Sequence, residues 1–118
     1  MWHAGRVDLQ ISTRAEDGAV VVTVAGEVDV ATAPQLDATL SDLIADGAVT
    51  LVVDLSEVGF LDSTGLGVLV KAVKRTREAA GGVAVVTTSP RVLKVLNITG
   101  LDKAIPVHAT VDEALSRA

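Results

Sequence analysis

From Ala19 to Ala25 the chain is an almost continuous Val-rich run, Ala-Val-Val-Val-Thr-Val-Ala. A strand with that pattern has no polar face to turn toward water, so it is expected to be buried on both faces. Val49 to Leu55 and Val83 to Thr87 carry similar runs. Between them lie stretches whose apolar residues recur at helical spacing. Trp2 and Phe60 are the only aromatic residues, so the core has to be built from Val, Leu, Ile and Ala, with the β-branched residues favouring strands.

Ahead of the first long run, Val7, Leu9 and Ile11 alternate with Asp8, Gln10 and Ser12, a half-buried strand pattern. Glu16-Asp17-Gly18 supplies a turn, which makes these two strands an antiparallel hairpin. Thr32, Pro34 and Gln35 read as a Thr-x-x-Gln capping box opening a helix with Leu36, Leu40, Leu43 and Ile44 on one face, stopped by Gly47. A second helix carries Leu66, Leu69, Val70 and Val73 inward and ends at Gly81-Gly82. Its residues Lys71, Lys74, Arg75 and Arg77 form a solvated basic stripe. Ser89-Pro90 opens a third helix with Val92, Leu93 and Leu96 as its apolar stripe, ending near Gly100. Ile105-Pro106-Val107 is suited to an edge strand, and Thr110 to Glu113 is a second capping box before a short last helix.

The expected fold is therefore α/β, a single domain over residues 1–118 with its core from about 7 to 115. Its mixed sheet has about four to five strands, an antiparallel hairpin followed by parallel, right-handed βαβ crossovers, and about four helices.

Composition removes several function classes. With 15 acidic and 10 basic side chains the formal charge is −5, and no aromatic platform exists for stacking bases, so nucleic acid is not an expected partner. The absence of cysteine excludes disulfide and thiolate chemistry. The start, Met1 to Arg6, lacks the apolar stretch of a signal peptide, and no apolar run approaches the roughly 20 residues that span a bilayer. A cytoplasmic location without membrane insertion is the expectation. His3 and His108 have no companions at metal-ligand spacing, there is no P-loop, and no Ser–His pair is suggested by spacing. Asp62-Ser63-Thr64-Gly65 is not an intact aspartic-protease triplet, because Thr64 separates the pair from the glycine. No catalytic residue, metal or cofactor is assigned, and the chain is not read as an enzyme.

What remains is the junction Phe60-Leu61-Asp62-Ser63-Thr64-Gly65-Leu66-Gly67, where a strand meets a helix. Ser63 there reads as a helix cap, as a phosphoacceptor, or as both; Thr64 is the weaker acceptor. A phosphate at this point would be favoured by free backbone N–H groups and the helix dipole, and the two glycines would let another protein's backbone approach. If strands two, three and four are parallel, Glu27 to Thr32, Asp62 to Gly67 and Ser89 to Arg91 share the carboxyl rim of the sheet, where open α/β sheets engage ligands and partners. Asp29 would then lie beside Ser63 as either a solvated acid or a partner contact. Asp54, read as lying at a strand end, is expected to hold the following loop.

In its combination of Gly26-Glu27-Val28-Asp29, Val53-Asp54-Leu55, Phe60 to Gly67 and Leu96-x-x-x-Gly100-Leu101, the chain resembles the STAS-domain anti-sigma factor antagonists of bacteria over essentially its whole length. The resemblance implies phosphorylation at the serine following the aspartate, here Ser63, and a partner surface formed by Asp29, Asp62, Ser63, Thr64, Gly65 and Leu66. It also implies two partners: an anti-sigma factor that is itself a serine kinase, and a metal-dependent serine/threonine phosphatase. The unmodified antagonist would bind the kinase and free the sigma factor, and phosphorylation would end that binding. A different class is also open, because STAS domains serve as non-switching modules or scaffold subunits of larger signalling or transport complexes.

Overall fold

A computed structural model describes residues 8–117; Val7, the head of the first predicted strand, and His3 lie outside them. The chain runs β1 (Gln10–Glu16), β2 (Ala19–Val28), α1 (Ala33–Ala45), β3 (Thr50–Leu61), α2 (Ser63–Glu78), β4 (Gly82–Val86), α3 (Pro90–Ile98), α4 (Leu101–Ala104), β5 (Val107–His108) and α5 (Val111–Ser116). The five strands lie in sequence order, β1 antiparallel to β2 and the rest parallel. Asp17 and Gly18, both at positive φ, make the two-residue hairpin turn.

Crossovers of one hand stepping one way across a sheet stack their helices on one face. That face holds the main core: Leu36 and Leu40 of α1, Val68, Leu69 and Val73 of α2, and Val92 and Leu96 of α3 pack on Val22, Val24, Leu51, Val53 and Val85. A smaller cluster on the other face joins Ala19, Val21, Val52 and Val86 to Ala114 of α5. Both faces of β2 are therefore covered over Ala19 to Val22, while further along Thr23 and Ala25 are only half-buried on the second face.

Several local expectations are corrected. Thr32 does not cap α1: its backbone is helical and its hydroxyl donates to the Glu27 carbonyl. Gln35 leaves the helix end to bond both backbone groups of Leu9, at 3.1 and 2.7 Å. Val70 and Leu93, placed inward by spacing, are 38% and 39% exposed, because the buried stripes run through Ala72 and Thr76 in α2 and through Val92 and Leu96 in α3. After α2 ends at Glu78, the left-handed residue that turns the chain is Ala80, at φ 62, rather than a glycine; Gly81 follows because a Cβ there would lie 1.9 Å from the Val49 carbonyl oxygen. Thr110 caps α5, but Glu113 reaches the Ala109 N–H, one residue short of a full box. β5 begins after Pro106, and the single-turn α4 is an additional helix.

The correction that matters most for the rim concerns β3. It continues past Leu55 to Leu61, and two irregularities give it an extra residue each against β2, between the pairs Thr23–Asp54 and Ala25–Glu57 and between Gly26–Val58 and Glu27–Phe60. Asp54 is thus inside the strand, where its carboxylate accepts from the Ser56 N–H and hydroxyl at the first irregularity. β4 stops opposite Asp54, whereas β2 accompanies β3 to the Val28–Leu61 pair. The seven residues after Asp54, Leu55 to Leu61, carry β3 on by about 20 Å.

Candidate functional site

Because Val28 and Leu61 are in register, the loops leaving β2 and β3 begin side by side, tied by the Asp62 N–H donating to the Val28 carbonyl at 3.1 Å. The structure therefore brings Asp29 and Ser63 onto one rim. It does not bring Ser89 to Arg91 there: that loop leaves β4 at the level of Asp54, and Ser89 caps α3 through the Val92 N–H.

Asp29 is half-buried and builds its own loop. Its carboxylate accepts from the Ala31 and Thr32 N–H groups at 2.9 and 3.0 Å, while its own N–H donates to the Thr32 hydroxyl. This carboxylate closes the turn that leads into α1, and Thr32, read from the sequence as the helix cap, serves within that turn. Val30, between these polar contacts, is 72% exposed.

At the head of α2 the cap is Asp62. Its extended backbone lets one carboxylate oxygen accept from the Thr64 and Gly65 N–H groups at 2.9 and 3.2 Å. Ser63 is the first helical residue; it is exposed, and its hydroxyl makes no hydrogen bond among the described residues. The cap reading of Ser63 is thereby replaced. The expectation that a phosphate would find free helix N–H groups is narrowed, since the Thr64 and Gly65 N–H groups already face the Asp62 carboxylate. Thr64 is exposed beside Ser63, and Leu66 is half-buried against the core.

Gly65 faces inward. A Cβ there would lie 2.5 Å from Leu61 Cδ1 and 2.6 Å from Val28 Cγ1, so the glycine lets α2 sit directly on the two strand ends. It positions the surface rather than lining it. Gly67 has open space around it, as the sequence reading required. One exposed apolar residue that spacing did not single out borders the site, Val30; Phe60, 37% exposed, precedes Leu61 and turns to the face of the sheet opposite α2. Val30 carries a readable signal, an aliphatic side chain outside any periodic pattern in a polar loop. Of the basic stripe, Lys71 pairs with Asp37 of α1 at 3.2 Å and Arg77 donates to the Ala104 carbonyl, so both tie α2 to its neighbours. Among the described residues no helix is long and apolar enough to cross a membrane, and no group of three or more His, Asp or Glu could hold a metal ion.

Around this α/β sheet, with its Asp-capped, serine-bearing helix beside a self-braced acidic loop, the STAS domain model matches residues 10–114. The chain belongs to the STAS-domain family, among the anti-sigma factor antagonists. It is 33% identical over 103 residues to the anti-sigma-B factor antagonist of Bacillus subtilis, covering 87% of this chain and 94% of that one. An anti-sigma factor antagonist from Mycobacterium paratuberculosis superposes with a TM-score of 0.83 at 36% identity, over 92% of each chain. The Bacillus cell fate determinant SpoIIAA, 27% identical, superposes in its unphosphorylated form (TM-score 0.78; 92% of this chain, 94% of that one) and in its phosphorylated form (0.71; 92% and 97%).

Proposed function

We propose that this chain is a partner-switching regulator whose unmodified form binds an anti-sigma factor with serine kinase activity, so that a sigma factor is released, and whose phosphorylation at Ser63 ends that binding. A metal-dependent serine/threonine phosphatase resets it. The observation that carries this reading is the Ser63 hydroxyl, exposed and without a hydrogen-bond partner among the described residues, on a helix end that Asp62 already caps. Such a serine has no structural task and is open to a kinase. The relatives named as antagonists, one of them known in a phosphorylated form, support the reading.

The contact surface consists of Ser63, Thr64, Asp62, Leu66 and the braced Asp29 loop, held up by Gly65, with Val30 adding apolar area. The function is binding without turnover, in the cytoplasm. A phosphoserine brings about −1.5 to −2 charges at neutral pH, here next to the Asp62 carboxylate, and adds repulsion and desolvation cost to a close-packed interface. A few kcal/mol lost lowers affinity by a factor on the order of 10² to 10³.

The test is a pull-down from lysate of the parent organism with wild-type, Ser63→Ala and Ser63→Asp baits. Wild type and Ser63→Ala are expected to capture an ATP-binding anti-sigma factor that Ser63→Asp does not. Capture of one and the same complex by all three would sink the switch and leave a constitutive scaffold.

A further inference from the structure

At the end of the molecule away from Ser63, a cavity of about 710 Å³ opens around the outer edge of β4. It exists because β5 is short. Only Val85 and Val86 of β4 have partners in β5, so the edge from Gly82 to Ala84 carries no neighbouring strand. On that side the Val85 and Thr87 N–H groups donate to the Pro106 and His108 carbonyls, while Arg77 takes the Ala104 carbonyl that would come next in the series, at 2.9 Å. Alternation along β4 turns the N–H of Val83 to the same side as those of Val85 and Thr87, toward the part of the edge that β5 does not reach. A peptide donor on an unpaired strand edge is available to whatever enters the space beside it.

The walls are aliphatic and small-residue surface, including Leu51, Val73, Ala84 and Ala114. The charged residues lining it are Arg77 from α2 and Arg117 after α5; its described lining contains no carboxylate, although the protein carries a formal charge of −5. His108 also lines it, with its ring nitrogen 3.3 Å from Glu113. Volume and character both fall within the range of small-molecule sites, mostly apolar with a few convergent polar groups.

We propose that this cavity binds a small amphipathic anion, its apolar body against the aliphatic walls and its carboxylate or phosphate head accepting from the Val83 N–H and the Arg77 and Arg117 guanidiniums. Guanidinium forks suit either head group. The site is separate from the rim: it meets α2 at its far end, and the helix's 16 residues place about 24 Å between them.

The test titrates the full-length protein with octanoate, octyl phosphate and uncharged octanol while following backbone amide resonances. Val83 and Gly82 are expected to move saturably with at least one anion and not with octanol; which anion does so identifies the head group. In Arg77→Gln/Arg117→Gln the dissociation constant should rise at least tenfold. Because Arg77 also braces Ala104, Arg117→Gln alone serves as a second variant, with a several-fold rise expected and an otherwise unchanged spectrum. An unmoved Val83 amide, octanol binding equal to that of the anions, or undiminished affinity in both variants would overturn the assignment.

Discussion

Asp62 and Ser63 are neighbours with separate tasks. Asp62 satisfies two helix donors, whereas the Ser63 hydroxyl bonds to nothing among the described residues. Their substitutions should therefore separate in chemical denaturation. Ser63→Ala is expected to stay within about 0.5 kcal/mol of wild type, and Asp62→Ala to lose about 0.5–2 kcal/mol, the usual worth of an N-cap. The same geometry fixes how a phosphate at Ser63 affects the fold. In wild type it meets the Asp62 carboxylate on donors already taken, so phosphorylation should lower Tm slightly. In Asp62→Ala the Thr64 and Gly65 N–H groups are vacant, the phosphate can occupy them, and phosphorylation should raise Tm. With phosphoserine placed at position 63 by a kinase-independent route, Tm changes of the same sign in both backgrounds would show that Asp62 does not compete with the phosphate.

The site depends on how closely α2 seats on the ends of β2 and β3, which is a property of the elements. Gly65→Ala puts a methyl group against Leu61 and Val28 and should cost about 1–3 kcal/mol, as over-packing does. Ala80→Gly removes a side chain from a left-handed residue and should gain about 0.5–1 kcal/mol. Equal effects of the two substitutions in thermal unfolding would contradict this packing account. The hairpin, the parallel order of the central strands and the Ser89-Pro90 helix start were legible in the sequence, because each is set by residues close together in the chain. The Thr32–Gln35 box was not, since Gln35 is claimed by Leu9, 26 residues away. Nor was the length of β3: Ser56 and Glu57 interrupt its apolar pattern, and the irregular pairing that accommodates them appears only against β2. Asp62, Ser63 and Asp29 were legible as a set, but the division of labour among them required backbone geometry.

For the whole molecule, the two cores lie beneath and behind the rim and do not include Ser63. On the proposed switch, a charge added there acts on an incoming surface and leaves the sheet and its helices in place. Amide spectra of modified and unmodified chains should then differ around the Asp29 and Ser63 loops and coincide across β2 to β4.

The most direct measurement is a calorimetric titration of the captured anti-sigma factor into the unmodified chain and into the same chain phosphorylated only at Ser63. The phosphorylated chain is expected to bind on the order of 10² to 10³ more weakly, with its core amide resonances unchanged. Equal affinity of the two forms would contradict the switch at Ser63, and a loss of affinity accompanied by widespread core shifts would contradict its local nature.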